Sequence, residues 1–321
     1  MQHLENCTPH NLAACVNVCK EQKIPPTSAL LKELWCQLRK IPSCSLASNH
    51  FDKTIVWAEK VVNYISKSPL KIKVILYGSA LYPKELYAIN DPPWILYVRG
   101  ENLMEVFELP WVAVVGTRLP SDSLNTEAVP ICEFLVRKKL VIVSGLALGC
   151  DALAHQVAIR NHFPTVAILP TYINCIYPEK HQKLANQILE KGGLLVSEYP
   201  PLENFISRSL RLPSYNFIQR NRLIVALSKL LLVLQSSLQG GTLSTVKFAI
   251  KYRRPFCALV PSKEVISQEA IFWEANLFLV DKMKARTIGS VGEMEVYWNE
   301  LIRSSFQTER QTFHWQQGGL F

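Results

Sequence analysis

Short runs of apolar residues recur between positions 112 and 260, and most are separated by amphipathic stretches of helical length. They occupy residues 112–115, 140–143, 166–169, 194–196, 230–234 and 256–260. Near-continuous apolar strands that alternate with helices are typical of a parallel sheet covered on both faces. The pattern predicts a doubly wound, mostly parallel α/β fold. In such sheets, ligands bind in the crevice beyond the carboxyl ends of the strands.

The two ends of the chain depart from this pattern. Near the N-terminus, Thr27 can cap a helix on which Leu30, Leu31 and Leu34 recur at helical spacing. A polar, proline-containing joint at positions 66–69 then marks a domain boundary. We predict a small helical domain over residues 1–70, an extended α/β domain over residues 71–285 and a short helical C-terminal tail over residues 286–321.

Composition narrows the class of protein. The longest apolar run, residues 223–234, is interrupted by Ser228 and Lys229 and is too short to span a bilayer. The first residues lack the basic and then apolar layout of a signal peptide, so a cytoplasmic protein without membrane contact is expected. None of the nine cysteines forms a Cys-x-x-Cys pair, so neither disulfides nor a zinc site is predicted.

Charge is distributed unevenly along the chain. The formal net charge is +9, and no carboxylate occurs between Glu203 and Glu264. Ten basic residues fall in that interval: Arg208, Arg211, Arg220, Arg222, Lys229, Lys247, Lys251, Arg253, Arg254 and Lys263. A concentrated positive field indicates a polyanionic partner and is the first feature expected of a nucleic-acid binder. The alternative is a solvated basic face with no ligand.

Glycine-rich turns follow three of the predicted strands. They lie at residues 116–118, 144–151 and 235–242. Small residues let backbone N–H groups approach phosphate oxygens, and each following helix N-terminus adds partial positive charge. Arg118 adds a planar guanidinium group, whose N–H donors are suited to binding phosphate. A full Gly-x-Gly-x-x-Gly motif with a ribose-binding acid is missing, so a nicotinamide cofactor is disfavoured and no cofactor is predicted.

Several segments, in their order along the chain and in their residues, resemble those of the DprA/Smf family of DNA-processing proteins. The segments are Tyr82-Pro83, Asp91-Pro92-Pro93-Trp94, Val115-Gly116-Thr117-Arg118, Ser144-Gly145-Leu146-Ala147, Gly149 with Asp151 and His155, Tyr177-Pro178, Ser197-Glu198, Arg220-Asn221-Arg222, Gly241-Thr242 with Thr245, and Arg254-Pro255. They span roughly residues 77–262, more than half of the chain.

This resemblance implies an extended Rossmann-like fold that binds single-stranded DNA and acts as a homodimer. It implies protection of incoming DNA during natural transformation and loading of the RecA recombinase, with an N-terminal domain whose candidate fold is SAM-like. The DNA-binding residues carried over are Gly116, Thr117, Arg118, Ser144, Gly145, Gly149, Arg220, Asn221, Arg222, Gly241, Thr242 and Thr245.

The chain departs from the family pattern at several positions. Residues Phe217-Ile218 replace Phe-Pro, Gln235 replaces a glutamate, and Gly240-Gly241-Thr242 replaces a Ser-Gly-Ser turn. Pro261-Ser262 replaces Pro-Gly, and the glycine-containing segment expected next is not recognisable. The resemblance therefore indicates a diverged member, whose DNA pocket is mostly intact and whose last third of the core differs.

Two enzymatic interpretations compete with DNA binding. Asp151 and His155, four residues apart on one helix face after Ser144, suggest a hydrolase, but the Gly-x-Ser-x-Gly elbow is missing. The second is a related nucleoside-monophosphate hydrolase, in which Thr245 would stand where the catalytic glutamate is needed. We therefore expect a protein that is not an enzyme. Tyr215 is the better candidate for stacking on a base, and Phe217 is expected to pack in the core at least as readily.

Overall fold

The computed structural model describes residues 60–201, 213–238 and 240–317. Within them, nine strands form one sheet in the order β1-β2-β6-β5-β4-β3-β7-β8-β9. The strands are β1 (Lys73–Leu76), β2 (Ile95–Arg99), β3 (Trp111–Val115), β4 (Val141–Ser144), β5 (Thr165–Tyr172), β6 (Leu194–Tyr199), β7 (Leu230–Val233), β8 (Phe256–Leu259) and β9 (Arg286–Ile288). Strands β3 to β9 run parallel to one another, whereas β2 is antiparallel to both β1 and β6.

Helices connect these strands and cover the sheet. They are α1 (Leu103–Glu108), α2 (Leu124–Arg137), α3 (Cys150–Arg160), α4 (Gln182–Glu190), α5 (Ser214–Ala226), α6 (Thr242–Lys251), α7 (Lys263–Gln268), α8 (Ala270–Met283) and α9 (Val291–Gln317). Alternate residues of β3 point to opposite faces: Ala113 belongs to one buried apolar cluster, while Val112 and Val114 belong to another. The sheet is therefore buried on both faces, which confirms the predicted doubly wound, mostly parallel α/β fold.

All six apolar runs identified in the sequence form strands. Three further strands, β1, β2 and β9, were not among them. Because the parallel strands all end at one edge of the sheet, we call that edge the carboxyl edge and the opposite one the amino edge. The chain connects β3, β4 and β7 to helices at the carboxyl edge, which is where the glycine-rich turns lie.

The predicted domain boundaries need correction at both junctions. Residues 60–67 are helical, and Val61, Tyr64 and Ile65 pack against Ile72 and other residues of the α/β core, so the boundary at 70 cuts through packed structure. The boundary at 285 is also misplaced, because β9 begins at Arg286 and pairs with β8. The predictions for residues 1–59 lie outside the described residues.

Candidate functional site at the carboxyl edge

A cleft of about 370 Å³ opens at the carboxyl edge, between the turns that follow β3, β4 and β7. It brings together residues separated by more than 120 positions in the sequence. The predicted site residues that line it are Gly116, Thr117, Arg118, Arg220, Asn221, Gly241, Thr242 and Thr245. Most of the residues assigned from the sequence therefore share one cavity.

The turn after β3 is fixed by close backbone contacts. The Thr117 N–H donates to the Gln235 carbonyl at 2.6 Å, and the Thr117 carbonyl accepts from the Cys150 N–H at 3.1 Å. A Cβ placed on Gly116 would collide with the Cys150 side chain, and the Gln235 carbonyl oxygen would be only 2.6 Å away. Gly116 is therefore needed for the close approach of three turns.

The turn after β4 is held by a buried carboxylate. Asp151, in the first turn of α3, accepts the N–H groups of Gly145 at 3.1 Å and Ala147 at 3.2 Å. Gly149 has a φ of +72°, and an added Cβ there would run into the Thr117 carbonyl. Ser144 is buried and donates to the Val114 carbonyl. Neither Ser144 nor Gly149 lines the cleft, so both shape the turn rather than contact a ligand in it.

Arg220 supports the same turn from α5. Its Nη1 donates to the carbonyls of Gly145 and Ile168, each at 2.6 Å, and its Nε donates to the Asn221 side chain at 3.0 Å. Burial lowers the pKa of the guanidinium to about 10, although Asp151 opposes this shift. Because two of its donors hold backbone carbonyls, Arg220 positions the turn and adds positive charge at the wall of the cleft.

Arg118 is the exposed cation of the cleft. Its guanidinium carbon lies 5.4 Å from the centroid of the Phe217 ring, within the range of a cation–π contact. The Phe217 ring packs edge-on against Tyr177, with their centroids 5.5 Å apart. Phe217 therefore lies in the cleft and not in the core, which corrects the expectation from the sequence. Tyr215 is 62% exposed, as stacking on a base requires, but it is not among the residues that line the cleft.

Two helices have their first turns in the lining of the cleft. Helix α3 starts at Cys150 and helix α6 starts at Thr242, directly after Gly241. Nothing would lie within 4 Å of a Cβ placed on Gly241, so this backbone is open to a ligand. Helix N-termini carry unpaired N–H groups and partial positive charge, and they bind phosphate without further side chains. The cleft is therefore suited to an anion.

Arg222 does not reach this cleft. Its Nη atoms pair with the Glu198 carboxylate at 2.6 and 3.0 Å, and its Nε pairs with Asp91 at 2.9 Å. Its side chain is only 7% exposed. Burial, the largest influence, lowers the pKa of Arg222, but Glu198 and Asp91 together raise it above its ordinary value. The structure therefore places Arg222 outside the cleft, with its guanidinium held by two carboxylates, and this geometry favours a structural role over the predicted phosphate contact.

The described part of the stretch without carboxylates between Glu203 and Glu264, which we call the acid-free stretch, does not form one basic face either. Arg220 lies at the carboxyl edge, whereas Arg253 and Arg254 precede β8 at the amino edge. Lys229 pairs with Glu85 at 3.1 Å, and Arg222 is neutralised as described above. Carboxylates from outside the stretch therefore offset part of its charge, and the remainder is divided between two edges.

Asp151 and His155 do not form a catalytic pair in the cleft. The His155 side chain is fully buried, and its Nδ1 bonds Thr165 Oγ1 at 2.8 Å. Burial lowers the pKa of His155 to about 3, so the ring is neutral. Burial also raises the pKa of Asp151, against the opposing effects of Arg220 and of the two backbone N–H donors. Both side chains have structural roles.

Further comparisons place the chain among known proteins. A family model for DNA recombination-mediator protein A matches residues 73–291. The protein Smf of Escherichia coli is 39% identical over 184 residues, which cover 56% of this chain and 46% of Smf. The chain spans about half the length of the curated relatives of this kind that it matches first.

Solved structures of two relatives share the fold. DNA processing protein A of Streptococcus pneumoniae superposes with a TM-score of 0.69 at 24% identity, covering 91% of this chain and 93% of that one. The protein from Helicobacter pylori, whose structure concerns its single-stranded DNA binding mode, gives a TM-score of 0.59 at 28% identity, with coverages of 74% and 99%. Since the family model covers more than half of the sequence, the chain belongs to the DNA recombination-mediator protein A family, the DprA/Smf proteins.

Proposed function

We propose that this protein binds single-stranded DNA in the carboxyl-edge cleft and acts in DNA processing. The observation that carries the proposal is the convergence of two helix N-termini with the exposed Arg118 and the Phe217 ring. The two helix N-termini and Arg118 can contact phosphate, and the Phe217 ring can contact a base. Family membership and the single-stranded DNA binding of the H. pylori relative support the same assignment.

The dimensions of the cleft favour a single strand over a duplex. A volume of about 370 Å³ accommodates a few nucleotide groups. Phe217, which lines the cleft, and Tyr177, which packs against Phe217, offer ring surfaces on which only unpaired bases can stack. A duplex keeps its bases stacked inside and would present only phosphates to this site.

The test compares single-stranded DNA, duplex DNA and RNA of one sequence by fluorescence anisotropy at several salt concentrations. We expect tightest binding to single-stranded DNA. The logarithm of its binding constant should fall with the logarithm of the salt concentration, with a slope of about −0.7 per phosphate contacted. Equal affinity for the duplex, or binding that does not change with salt, would contradict the proposal.

We also propose that the protein does not turn over nucleotides. Thr245 lines the cleft where a nucleoside-monophosphate hydrolase requires a carboxylate, and Asp151 is engaged by Gly145, Ala147 and Arg220. Asp151 also lines the cleft, but because its carboxylate is held by these groups we propose that it shapes the turn and does not act as a general acid or base. Release of free base from AMP or CMP by the wild-type protein, abolished in a folded Asp151→Asn variant, would refute this proposal.

The finer role follows the family. We propose that the bound strand is protected from degradation in the cytoplasm during DNA uptake and is passed to the RecA recombinase. The tests are a nuclease-protection assay on single-stranded DNA and a RecA-dependent strand-exchange assay with and without this protein. Loss of protection in Arg118→Ala, with its fold retained, would link the role to the cleft. Protection that persists in that variant would separate the two.

A homodimer is part of the same proposal, and helix α8 offers a surface for it. Four apolar side chains of this helix are between 38% and 76% exposed: Ile271, Phe272, Leu277 and Phe278. Exposed apolar clusters of this kind mark protein interfaces. In sedimentation, Ile271→Glu with Phe278→Glu should yield monomers where wild type yields dimers. Val62→Glu, which alters an exposed apolar residue elsewhere, is the control. A dimer that survives the double substitution would exclude this face.

A further inference from the structure

Five residues with side chains adopt a left-handed backbone conformation directly before strands. They are Lys71, Lys139, His162, Arg253 and Lys284, with φ between +47° and +61°. They precede β1, β4, β5, β8 and β9. This conformation, common after the last turn of a helix, is one that glycine adopts without steric cost. Glycine occupies the equivalent place before β6, at Gly192, whereas these five positions carry basic side chains or histidine.

All five residues lie at the amino edge. Strands β4, β5, β8 and β9 are parallel and begin there, and β1 has the same direction because it is antiparallel to β2, which is antiparallel to β6. Adjacent strands are about 4.8 Å apart. A row of basic residues therefore follows the edge opposite the DNA cleft.

The row is densest at its β8–β9 end. A groove of about 1180 Å³ lies there, lined by Arg253, Arg254, Lys284 and Arg286 and floored by apolar groups that include Phe256. The Arg254 Nη2 donates to the Ala226 carbonyl at 2.9 Å, and its buried Nε has no hydrogen-bond partner among the described residues. The groove thus contains a guanidinium whose donors are not all used.

The carboxylates nearby are already engaged. Glu293 accepts the Gly289 N–H at 2.7 Å, and Glu300 lies 3.6 Å from Arg286. The Arg286 guanidinium also lies 5.5 Å from the centroid of the Tyr297 ring. Cations remain in excess in the groove, and one of them is paired with an aromatic face.

The helix dipole accounts for only part of this arrangement. Basic side chains near helix C-termini are stabilised by the partial negative charge there, and the Lys284 Nζ does donate to the Asp281 carbonyl at 2.9 Å. A lysine inside the last turn would gain the same stabilisation in ordinary helical geometry. The dipole therefore does not explain why cations occupy positions that favour glycine. Neither Lys139 nor Arg253 forms an ion pair within the described part of the chain.

We propose that the amino edge, centred on the groove between β8 and β9, is a second binding surface for the phosphodiester backbone of a nucleic-acid strand. It lies on the far side of the sheet from the cleft, so it contacts a different segment of a long strand or a second strand. The proposal goes beyond the cleft assignment and stands without it, since it depends on other residues.

Glycine substitutions test the proposal without endangering the fold. The triple variant Lys139→Gly, Arg253→Gly and Lys284→Gly removes three charges and places glycine where the backbone is left-handed. Its melting temperature should equal or exceed that of wild type. The matched control is Lys180→Ala, Lys183→Ala and Lys263→Ala, which removes three charges from exposed positions that follow β5 and β8 at the carboxyl edge and do not line the cleft.

Binding is measured with an oligonucleotide that fills only the cleft and with one long enough to reach both edges. For the long strand, the triple glycine variant should bind roughly tenfold more weakly, and its salt slope should be smaller by about 2, for three phosphates lost. The short strand should bind as it does to wild type. Unchanged long-strand binding, or an equal loss in the control, would overturn the proposal.

Two further arms separate the alternatives. The first arm uses poly-glutamate and inorganic polyphosphate as competitors of the long strand. If poly-glutamate displaces the strand from wild type as well as polyphosphate does, and does not displace it from the triple glycine variant, then the groove binds an acidic protein segment. In that case the proposal fails. Arg118→Ala should weaken short-strand binding and leave the amino edge intact. Long-strand binding that persists in Arg118→Ala and falls in the triple variant would support the second surface even if the cleft assignment were wrong.

Discussion

Replacing Arg222 tests whether this residue of the Arg220-Asn221-Arg222 segment binds DNA or stabilises the fold. Its guanidinium makes a bidentate ion pair with Glu198 and a third contact with Asp91, and its side chain is 7% exposed. Arg222→Ala would leave the Glu198 carboxylate, which is 19% exposed, without its cation. We therefore expect the variant to lose stability and to retain DNA affinity in its folded fraction.

The expected loss is about 3–5 kcal/mol, which is typical when one partner of a buried ion pair is removed. The contact with Asp91 adds little, since that side chain is 47% exposed and exposed pairs contribute at most about 1 kcal/mol. For a domain of this size, such a loss lowers the melting temperature by about 10 °C. It consumes a large part of the roughly 5–15 kcal/mol by which folded proteins are stable.

The assay is urea unfolding followed by circular dichroism, together with DNA anisotropy at a temperature at which the variant is folded. Arg222→Met with Glu198→Leu is the matched control, because replacing both charges with apolar groups is often nearly neutral. The double variant should regain most of the stability lost in Arg222→Ala. A variant Arg222→Ala that is within about 1 kcal/mol of wild type and has lost DNA binding would refute this reasoning.

Four other substitutions give contrasting results. Arg118→Ala should leave the melting temperature unchanged and cost about 1.5–3 kcal/mol of DNA binding in anisotropy, since the side chain is exposed and suited to phosphate. Gly116→Ala should fail to fold stably by circular dichroism, whereas Gly241→Ala should fold normally and lose DNA affinity, because only the former glycine is enclosed. For His155, the folded pKa of about 3 lies below the ordinary value of 6.5, so the unfolded state binds more protons as the pH falls below 6.5. Urea unfolding should show about 2 kcal/mol less stability at pH 5 than at pH 7.5, and a folded His155→Asn variant should lose this dependence.

The sequence predicted the centre of the sheet because those strands are buried on both faces. Residues 112–115 and 230–233 are apolar without interruption. Such a run can be recognised as a buried strand without knowing which strands pair with it. The strands β1 and β9 carry weaker signals: Arg286–Ile288 has three residues, two of them exposed. Membership of such short edge strands in a sheet depends on backbone pairing with β2 or β8, which local periodicity does not reveal.

The placement of Arg222 outside the cleft has a geometric cause. Successive residues of a helix are rotated by about 100°, so Arg220 and Arg222 on α5 point in nearly opposite directions. Helical spacing alone would have shown that both cannot face one cleft. The partners of Arg222 could not have been found in this way, because Glu198 and Asp91 lie 24 and 131 positions away.

The cations of the acid-free stretch are separated for a related reason. Closeness along the chain does not imply closeness in space, because each βα unit crosses the sheet from one edge to the other. A stretch of 60 residues therefore reaches both the carboxyl and the amino edge more than once. Its cations can lie on opposite edges, separated by the length of a strand. Arg220 faces the carboxyl edge and Arg253 the amino edge although both belong to one acid-free segment.

The contacts that each arginine of the cleft makes within the protein decide which of the two can meet the ligand. Arg220 has an Nη1 that already donates to two carbonyls, and a Cβ on Gly145 would collide with its guanidinium, so it is part of the wall. Arg118 makes no such backbone contacts with the described residues and lies exposed beside an aromatic ring. Losing Arg220 should therefore change the shape of the turn and weaken folding and binding together. Losing Arg118 should weaken DNA binding without weakening folding, so Arg118 is the residue by which the proposed DNA binding in this cleft can be separated from stability.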